Sequence, residues 1–322
     1  MTKSPDRPQA VAGTGLHSQS KALVFDYRQA VSPVRRGLSD PISYHQWGSA
    51  LHSSGPSAVL PLELSAELGA SGPATSPALA AHFIRILAGE GVKAAANATS
   101  SLFYVMSGSG RCERSAEGSS PASTLSWQQG DLFVLPAGGA PLLHADSTAV
   151  LYWVHDAPLL DYLGVVPNAP RFETTHYPGD WLQRELAALA SDPSSASSNR
   201  ISLLLANQTL PNTRTVTHVL WAMFGMVPAG ATQAPHRHQS VALDLIIDCD
   251  PGCYTLVGTE LNSDGTIRTP RRIDWESGGA FITPPGHWHA HVNSSGRTAY
   301  FLPIQDAGLH TYLRSLDIRF SS

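Results

Sequence analysis

The chain has 322 residues, long enough for one large or two medium domains, and a formal net charge of -4 with 14% charged residues. That balance lacks the basic excess that nucleic acid or an anionic membrane surface demands, so the expected partner is a small molecule or another protein. Three cysteines, Cys112, Cys249 and Cys253, are too few for a disulfide framework or a four-cysteine zinc site, and the N-terminus lacks the apolar run of a signal peptide. With no uncharged stretch of membrane-spanning length either, the sequence reads as a soluble cytoplasmic protein.

Residues 1 to about 20 are polar and rich in Ser, Pro and Gly, which predicts a loose arm, and residues 21 to about 75 give no clean period. Strands are predicted at Leu79 to Leu87, at Leu102 to Met106 before the turn Ser107-Gly-Ser-Gly110, at Asp131 to Leu135, and at Ala149 to Val154. The character changes between Val166 and Asn199. There Asp180 to Ala190 carries helix formers with apolar residues at helical spacing, and Ser191 to Ser198 is a solvated connector. Strands return at Val216 to Val227, Val241 to Asp248, Tyr254 to Val257, Ala280 to Thr283 and Thr298 to Leu302, and a closing helix is predicted from Asp306 through Leu316. Between Cys249 and Cys253, Asp-Pro-Gly reads as a hairpin turn before it reads as a thiol pair.

Gly130-x5-Pro136-x-Gly138 recurs with the same spacing as Gly278-x5-Pro284-x-Gly286, which points to an internal duplication. The domain reading is an arm and irregular segment over 1-75, a first barrel over 76-166, a helical linker over 167-212, and a second barrel with its closing helix over 213-322.

The chemistry is concentrated in the second half. His236 and His238 stand two apart after Gly230, a spacing that turns both imidazoles to one face of a strand. The turn Pro284-Pro-Gly286 then delivers His289 onto another strand, with His291 two residues further on the same face. Three neutral imidazoles on converging strands would leave coordination positions of a divalent ion open to substrate or oxygen. Trp288, Tyr254, Trp221 and Phe224 are candidates for an apolar wall, and Gln239 and Gln305 for orienting a substrate. Arg237 should point outward, Arg214 and His218 are weak candidates for a carboxylate partner, and His287 sits in the turn at the rim.

These motifs resemble the cupin superfamily, whose first signature is Gly-x5-His-x-His followed by a Glu and whose second is Gly-x5-Pro-x-Gly-x2-His-x3-Asn. Gly230, His236 and His238 match the opening of the first, and Gly278, Pro284, Gly286, His289 and Asn293 match all of the second. The resemblance implies a mainly all-β protein of two tandem jelly-roll barrels, with His236, His238 and His289 as metal ligands. Leu243 stands where the glutamate is commonest, and Asp244, one residue on, should face the other side of its strand. In the first half, Asn97, Thr99 and Pro141 occupy the ligand positions counted from Gly91, so that barrel is expected to be without metal, with His82 and His144 as structural residues.

A three-histidine centre is similar to that of gentisate- and salicylate-type ring-cleaving bicupins. The resemblance implies an iron(II)-dependent dioxygenase acting on a small aromatic hydroxy acid with dioxygen, in which His291 moves a proton or hydrogen-bonds substrate. Zinc, nickel or manganese remain alternatives for the metal, and a non-redox isomerase, lyase or hydrolase, or a non-catalytic binding bicupin, for the function. A homodimer or higher homo-oligomer is the expectation for such a fold.

Overall fold

The computed structural model describes residues 23–34, 37, 39–115, 122–198 and 200–321. The predicted loose arm therefore lies outside the described residues. The chain separates into two compact units, Met1–Ser43 and Tyr44–Ser322. Within the first, a single-turn helix, Tyr27–Ala30, is capped by Asp26, whose carboxylate accepts from the Arg28 backbone N–H at 2.9 Å.

The second unit is mainly β and built twice on one plan. One six-stranded sheet runs, in spatial order, Thr175–Tyr177, Leu132–Pro136, Ser100–Ser107, Ala149–His155, Ala80–Ile86, Ala58–Pro61; the other runs Gln46–Trp47, Ala280–Thr283, Ala242–Asp248, Ala299–Gln305, Trp221–Val227, Ile201–Leu205. Each faces a smaller sheet. The smaller sheets repeat the order Gly91–Lys93, Leu142–Ala145, Ser109–Arg114, Ser123–Gln128 as His236–Arg237, Trp288–Asn293, Cys253–Gly258, Arg271–Asp274, with Arg319–Phe320 added at the edge of the second. All named pairings are antiparallel, the arrangement of two tandem jelly rolls.

The turn glycines explain why the motif recurs. Gly130 and Gly278 have φ of 90° and 77°, and each donates its N–H at 2.8 Å to the strand behind it, to Val105 O and Ile246 O. A residue with a Cβ is disfavoured at that angle. Gly89 and Gly230 are likewise left-handed, each three residues past its strand, which ends at Ile86 or Val227. Gly89, rather than Gly91, is thus the counterpart of Gly230, and the counterparts of His236 and His238 are Ala95 and Asn97. A further shared feature is a buried aspartate after the last strand: Asp156 accepts from the Thr99 and Ser100 N–H groups, and Asp306 from that of Val241.

Register shows where the two interiors diverge. His155 pairs with Ala80 as Gln305 pairs with Trp221, and Phe103 pairs with Trp153 as Asp244 pairs with Pro303. The first interior therefore carries Phe103, Trp153, His82 and His155 where the second carries Asp244, Pro303, Met223 and Gln305. Phe103 stacks on Trp153 at 5.6 Å and on Phe133 at 4.9 Å, so aromatic rings fill the first interior. The second interior keeps an apolar end, with Ile246, Phe281, Trp275 and Phe301, and gives its other end to polar side chains.

Several segments without a clear period proved to be edge strands. Ala58–Pro61 and Gln46–Trp47, from the segment expected to be irregular, complete the first and second large sheets, and Thr175–Tyr177 and Ile201–Leu205 do so from the expected helical linker. Short edge strands cover unpaired backbone but need little pattern of their own. The helix Gly179–Ser191 and the last helix, Ala307–Leu313, are present; the latter stops where Arg314 turns left-handed at φ 60°.

His82 and His155 stack at 5.0 Å inside the first interior, where burial pushes His82 down to about 4 and His155 well below the ordinary imidazole range. Both stay neutral in the folded chain but titrate near 6.5 when unfolded. The unfolded state then binds more protons between about pH 6.5 and 4, so stability falls as pH drops through that window. For His82 the loss at pH 5 is about 2 kcal/mol. Urea unfolding at pH 7.5 and pH 5 should show a smaller pH dependence in His82→Phe than in the parent protein; equal dependence would contradict the assignment.

Candidate metal centre

His236, His238 and His289 are all buried, and each offers a ring nitrogen within 4.8 Å of the others. The strand pair that brings them together is in register at His236 opposite His289. His238 follows at the end of that strand, before the bend at Gln239 and Ser240.

Each Nδ1 faces a backbone carbonyl: His236 that of His289 at 3.2 Å, His238 that of Ser240 at 2.9 Å, and His289 that of His287 at 3.1 Å. A carbonyl only accepts, so His238 and His289 carry the hydrogen on Nδ1 and present a lone pair at Nε2, and His236 does the same once its second Nδ1 contact, with Arg200, is released. The Nε2 of His238 is buried and has no hydrogen-bond partner among the described residues, which fits an atom able to ligate a cation. Burial, and for His236 and His289 the neighbouring imidazoles, hold both well below the ordinary range; burial takes His238 to about 4. The donors are thus neutral near pH 7, as metal ligation requires, and the residues present fit a divalent ion.

His291 lies on the same inward face, fully enclosed, with Nδ1 2.8 Å from Thr255 Oγ1, which also accepts from Trp275 Nε1 at 2.8 Å. Asp244 also lines this cavity. This corrects the strand-phase reading that turned it away: the bend at Gln239-Ser240 precedes Ala242–Asp248, and Ala242 and Asp244 face inward while Leu243 faces out. Thr283 Oγ1 donates to Asp244 at 3.0 Å, yet burial raises its carboxyl to about 7. It is not among the three groups that converge within ligand distance.

Trp221 shares the cavity face through its pairing with Gln305, and its Nε1 is buried with no partner. The other predicted wall residues face elsewhere, because strand alternation sends the neighbours of inward residues outward. Trp288 lies beneath the Arg237 guanidinium at 5.2 Å, and Tyr254 beneath that of Arg272 at 3.7 Å. Phe224 alternates with the cavity-lining Met223 and is buried on the opposite sheet face. Gln239 is engaged by the C-terminal segment, its Oε1 accepting from the Asp317 N–H at 2.6 Å. Gln305 does reach the cavity, accepting from Ser240 Oγ at 2.9 Å. His287 stays at the rim, 2.9 Å from Tyr44 Oη.

Sequence reasoning missed Arg200, which enters the cavity from the residue before Ile201–Leu205. Its Nη2 touches His236 Nδ1, its Nη1 is buried without a partner, and burial lowers its basicity to about 10. The contact with His236 cannot coexist with metal ligation. If Arg200 donates to Nδ1, the ring hydrogen sits on Nε2; if Nδ1–H donates to the His289 carbonyl, Arg200 has no acceptor there. Phe320 covers the same ring at 5.8 Å from the added edge strand. The free space left inside is about 10 Å3, roughly that of one water.

With this geometry in place, the comparisons are coherent. The fold is shared with solved structures of a salicylate 1,2-dioxygenase. Salicylate 1,2-dioxygenase from Pseudaminobacter salicylatoxidans superposes with a TM-score of 0.66 over 87% of this chain and 88% of that one, at 13% identity. Gentisate 1,2 dioxygenase 1 of Aquipseudomonas alcaligenes is 28% identical over 109 residues, which is 34% of this chain but only 28% of the relative's length. Procruciferin, an 11S globulin from Brassica napus, also shares the fold, with a TM-score of 0.54 over 87% of this chain at 13% identity. No family model matches the chain. Among the described residues, no helix is long and apolar enough to cross a membrane.

Replacing His236, His238 or His289 by Ala should reduce bound metal from about one ion per chain to near zero, whereas Asp244→Asn should keep it. Elemental analysis after dialysis decides: loss of metal from D244N would make Asp244 a ligand, and full retention in any of the three alanine variants would remove that histidine from the set.

Proposed function

We propose that the chain is an iron(II)-dependent dioxygenase that oxygenates or cleaves a small aromatic hydroxy acid. The observation that carries this reading is the meeting of three buried neutral imidazoles with an unpaired buried guanidinium in one cavity. His236, His238 and His289 would hold the metal. Iron(II), when bound there, supplies the redox capacity that lets dioxygen react with an aromatic ring. The resemblance to gentisate and salicylate dioxygenases supports the reaction class.

The side chains divide the remaining work. Once His236 Nδ1–H donates to the His289 carbonyl, Arg200 is free to take the substrate carboxylate, since its buried Nη1 has no hydrogen-bond partner among the described residues. His291, braced by Thr255, and Asp244, with a carboxyl near 7, are placed to hold or move the proton of a substrate hydroxyl. Trp221 and Met223 supply apolar surface that excludes water. Since the free space is only about 10 Å3, an aromatic acid enters when Arg200 swings off His236 and the Arg319–Phe320 edge strand gives way. Trp288, Tyr254 and Gln239 have no part in this scheme. A homodimer or larger homo-oligomer in the cytoplasm is the setting we propose for it.

An oxygen electrode tests the reading with the iron-loaded protein and a panel of hydroxybenzoates. Uptake should require iron(II) and a ring carboxylate, and should vanish in His238→Ala. Arg200→Met should raise KM about 100-fold, the worth of roughly 3 kcal/mol for a buried charge-assisted contact, with a smaller change in kcat. Turnover that proceeds fully under nitrogen would instead identify a non-redox metal enzyme.

A further inference from the structure

A second cavity, of about 440 Å3, opens beside Arg85 and shares no lining residue with the histidine cavity. Its size lies within the roughly 300–1,000 Å3 of small-molecule sites. Along Ala80–Ile86, residues 82, 84 and 86 enter the first jelly roll, so Arg85 leaves on the opposite face. There it is only 6% exposed. Its Nε donates to Pro56 O at 2.8 Å, but Nη1 is buried without a partner, and among the described residues Arg85 forms no ion pair. The chain also makes room for this guanidinium: Gly55 is left-handed at φ 113°, and a Cβ there would lie 2.5 Å from Arg85 Nη2.

The rest of the wall suits one kind of occupant. Tyr104, Met106, Val150 and Ile247 give apolar surface, Ser107 and Ser277 give hydroxyls, and among the described residues no carboxylate lines the cavity. A buried cation without a counter-charge is unfavourable, and here Arg85 lines a space of ligand size. We propose that this cavity is a second binding site, for a small organic anion with an apolar body, whose charged end meets Arg85. Because the walls come from both jelly rolls, Val150 from the first and Ile247 from the second, the occupant bridges them.

Calorimetric titration of the full-length protein with cyclohexanecarboxylate, a carboxylate without a ring hydroxyl, tests the site, with inorganic phosphate as the arm that lacks an apolar body. Val150 is the register neighbour of Arg85, so Val150→Trp covers the guanidinium without removing it. Cyclohexanecarboxylate should bind the parent protein and Arg200→Met alike, and bind Arg85→Met and Val150→Trp at least about tenfold more weakly. Phosphate should bind more weakly than the organic acid, and occupancy should raise the Tm of the parent protein. The proposal is overturned if millimolar cyclohexanecarboxylate gives no saturable heat, if both cavity variants bind it normally, if only Arg200→Met loses it, or if phosphate binds as well. Should Arg85→Met fail to fold, Val150→Trp decides alone.

Discussion

Three backbone carbonyls, those of Ser240, His287 and His289, face the Nδ1 atoms of the three clustered histidines and favour the tautomer that carries its hydrogen there, and the site's geometry depends on them. An imidazole in a buried site has two tautomers and rotational freedom, and only one combination offers Nε2 to a common centre. The carbonyls make that choice from the backbone, so the geometry is as rigid as the sheet. His289 contributes twice, as a ring and as the carbonyl that orients His236 across the strand pair. A slip of one residue between those strands would undo both contributions together.

The duplication shows how little of the fold this chemistry uses. Sheet order, turn glycines and the buried aspartates Asp156 and Asp306 occur in both jelly rolls. What differs is the interior at a handful of equivalent positions. Phe103 and Trp153 stack where Asp244 and Pro303 leave space, and Ala95 and Asn97 stand where His236 and His238 do. Close-packed aromatics bury apolar area efficiently and leave no room for a ligand. The first jelly roll invests its interior in packing, while the second gives up part of its own to polar groups.

The parts of this arrangement that were legible in sequence are those set by short-range spacing. His236, His238 and His289 follow from a two-residue alternation and a fixed turn, and the doubled Gly-x5-Pro-x-Gly follows from backbone angles only glycine adopts readily. Asp244 was misread because alternation was carried through Gln239-Ser240, where the chain bends before the next strand begins. Trp288 and Tyr254 were aromatic and close in sequence to inward residues, but adjacency on a strand means opposite faces. Arg200 carried no local signal. It comes from the connector between the jelly rolls, and only the pairing of Ile201–Leu205 with Trp221–Val227 delivers it to the cavity.

Charge balance connects these residues more tightly than fold does, since the same architecture serves both a dioxygenase and an 11S globulin. A divalent ion on three neutral imidazoles keeps its two positive charges, and Arg200 adds a third in the same enclosed space. Asp244, which lines the same cavity, can offset at most one of them. The loaded cavity is therefore short of negative charge whatever the protonation of Asp244. A neutral occupant would leave that deficit in a low-dielectric interior, whereas a carboxylate with an ionisable hydroxyl removes it and has one group for the metal and one for Arg200. The ligand set without a carboxylate and the buried guanidinium thus both support the substrate class we propose.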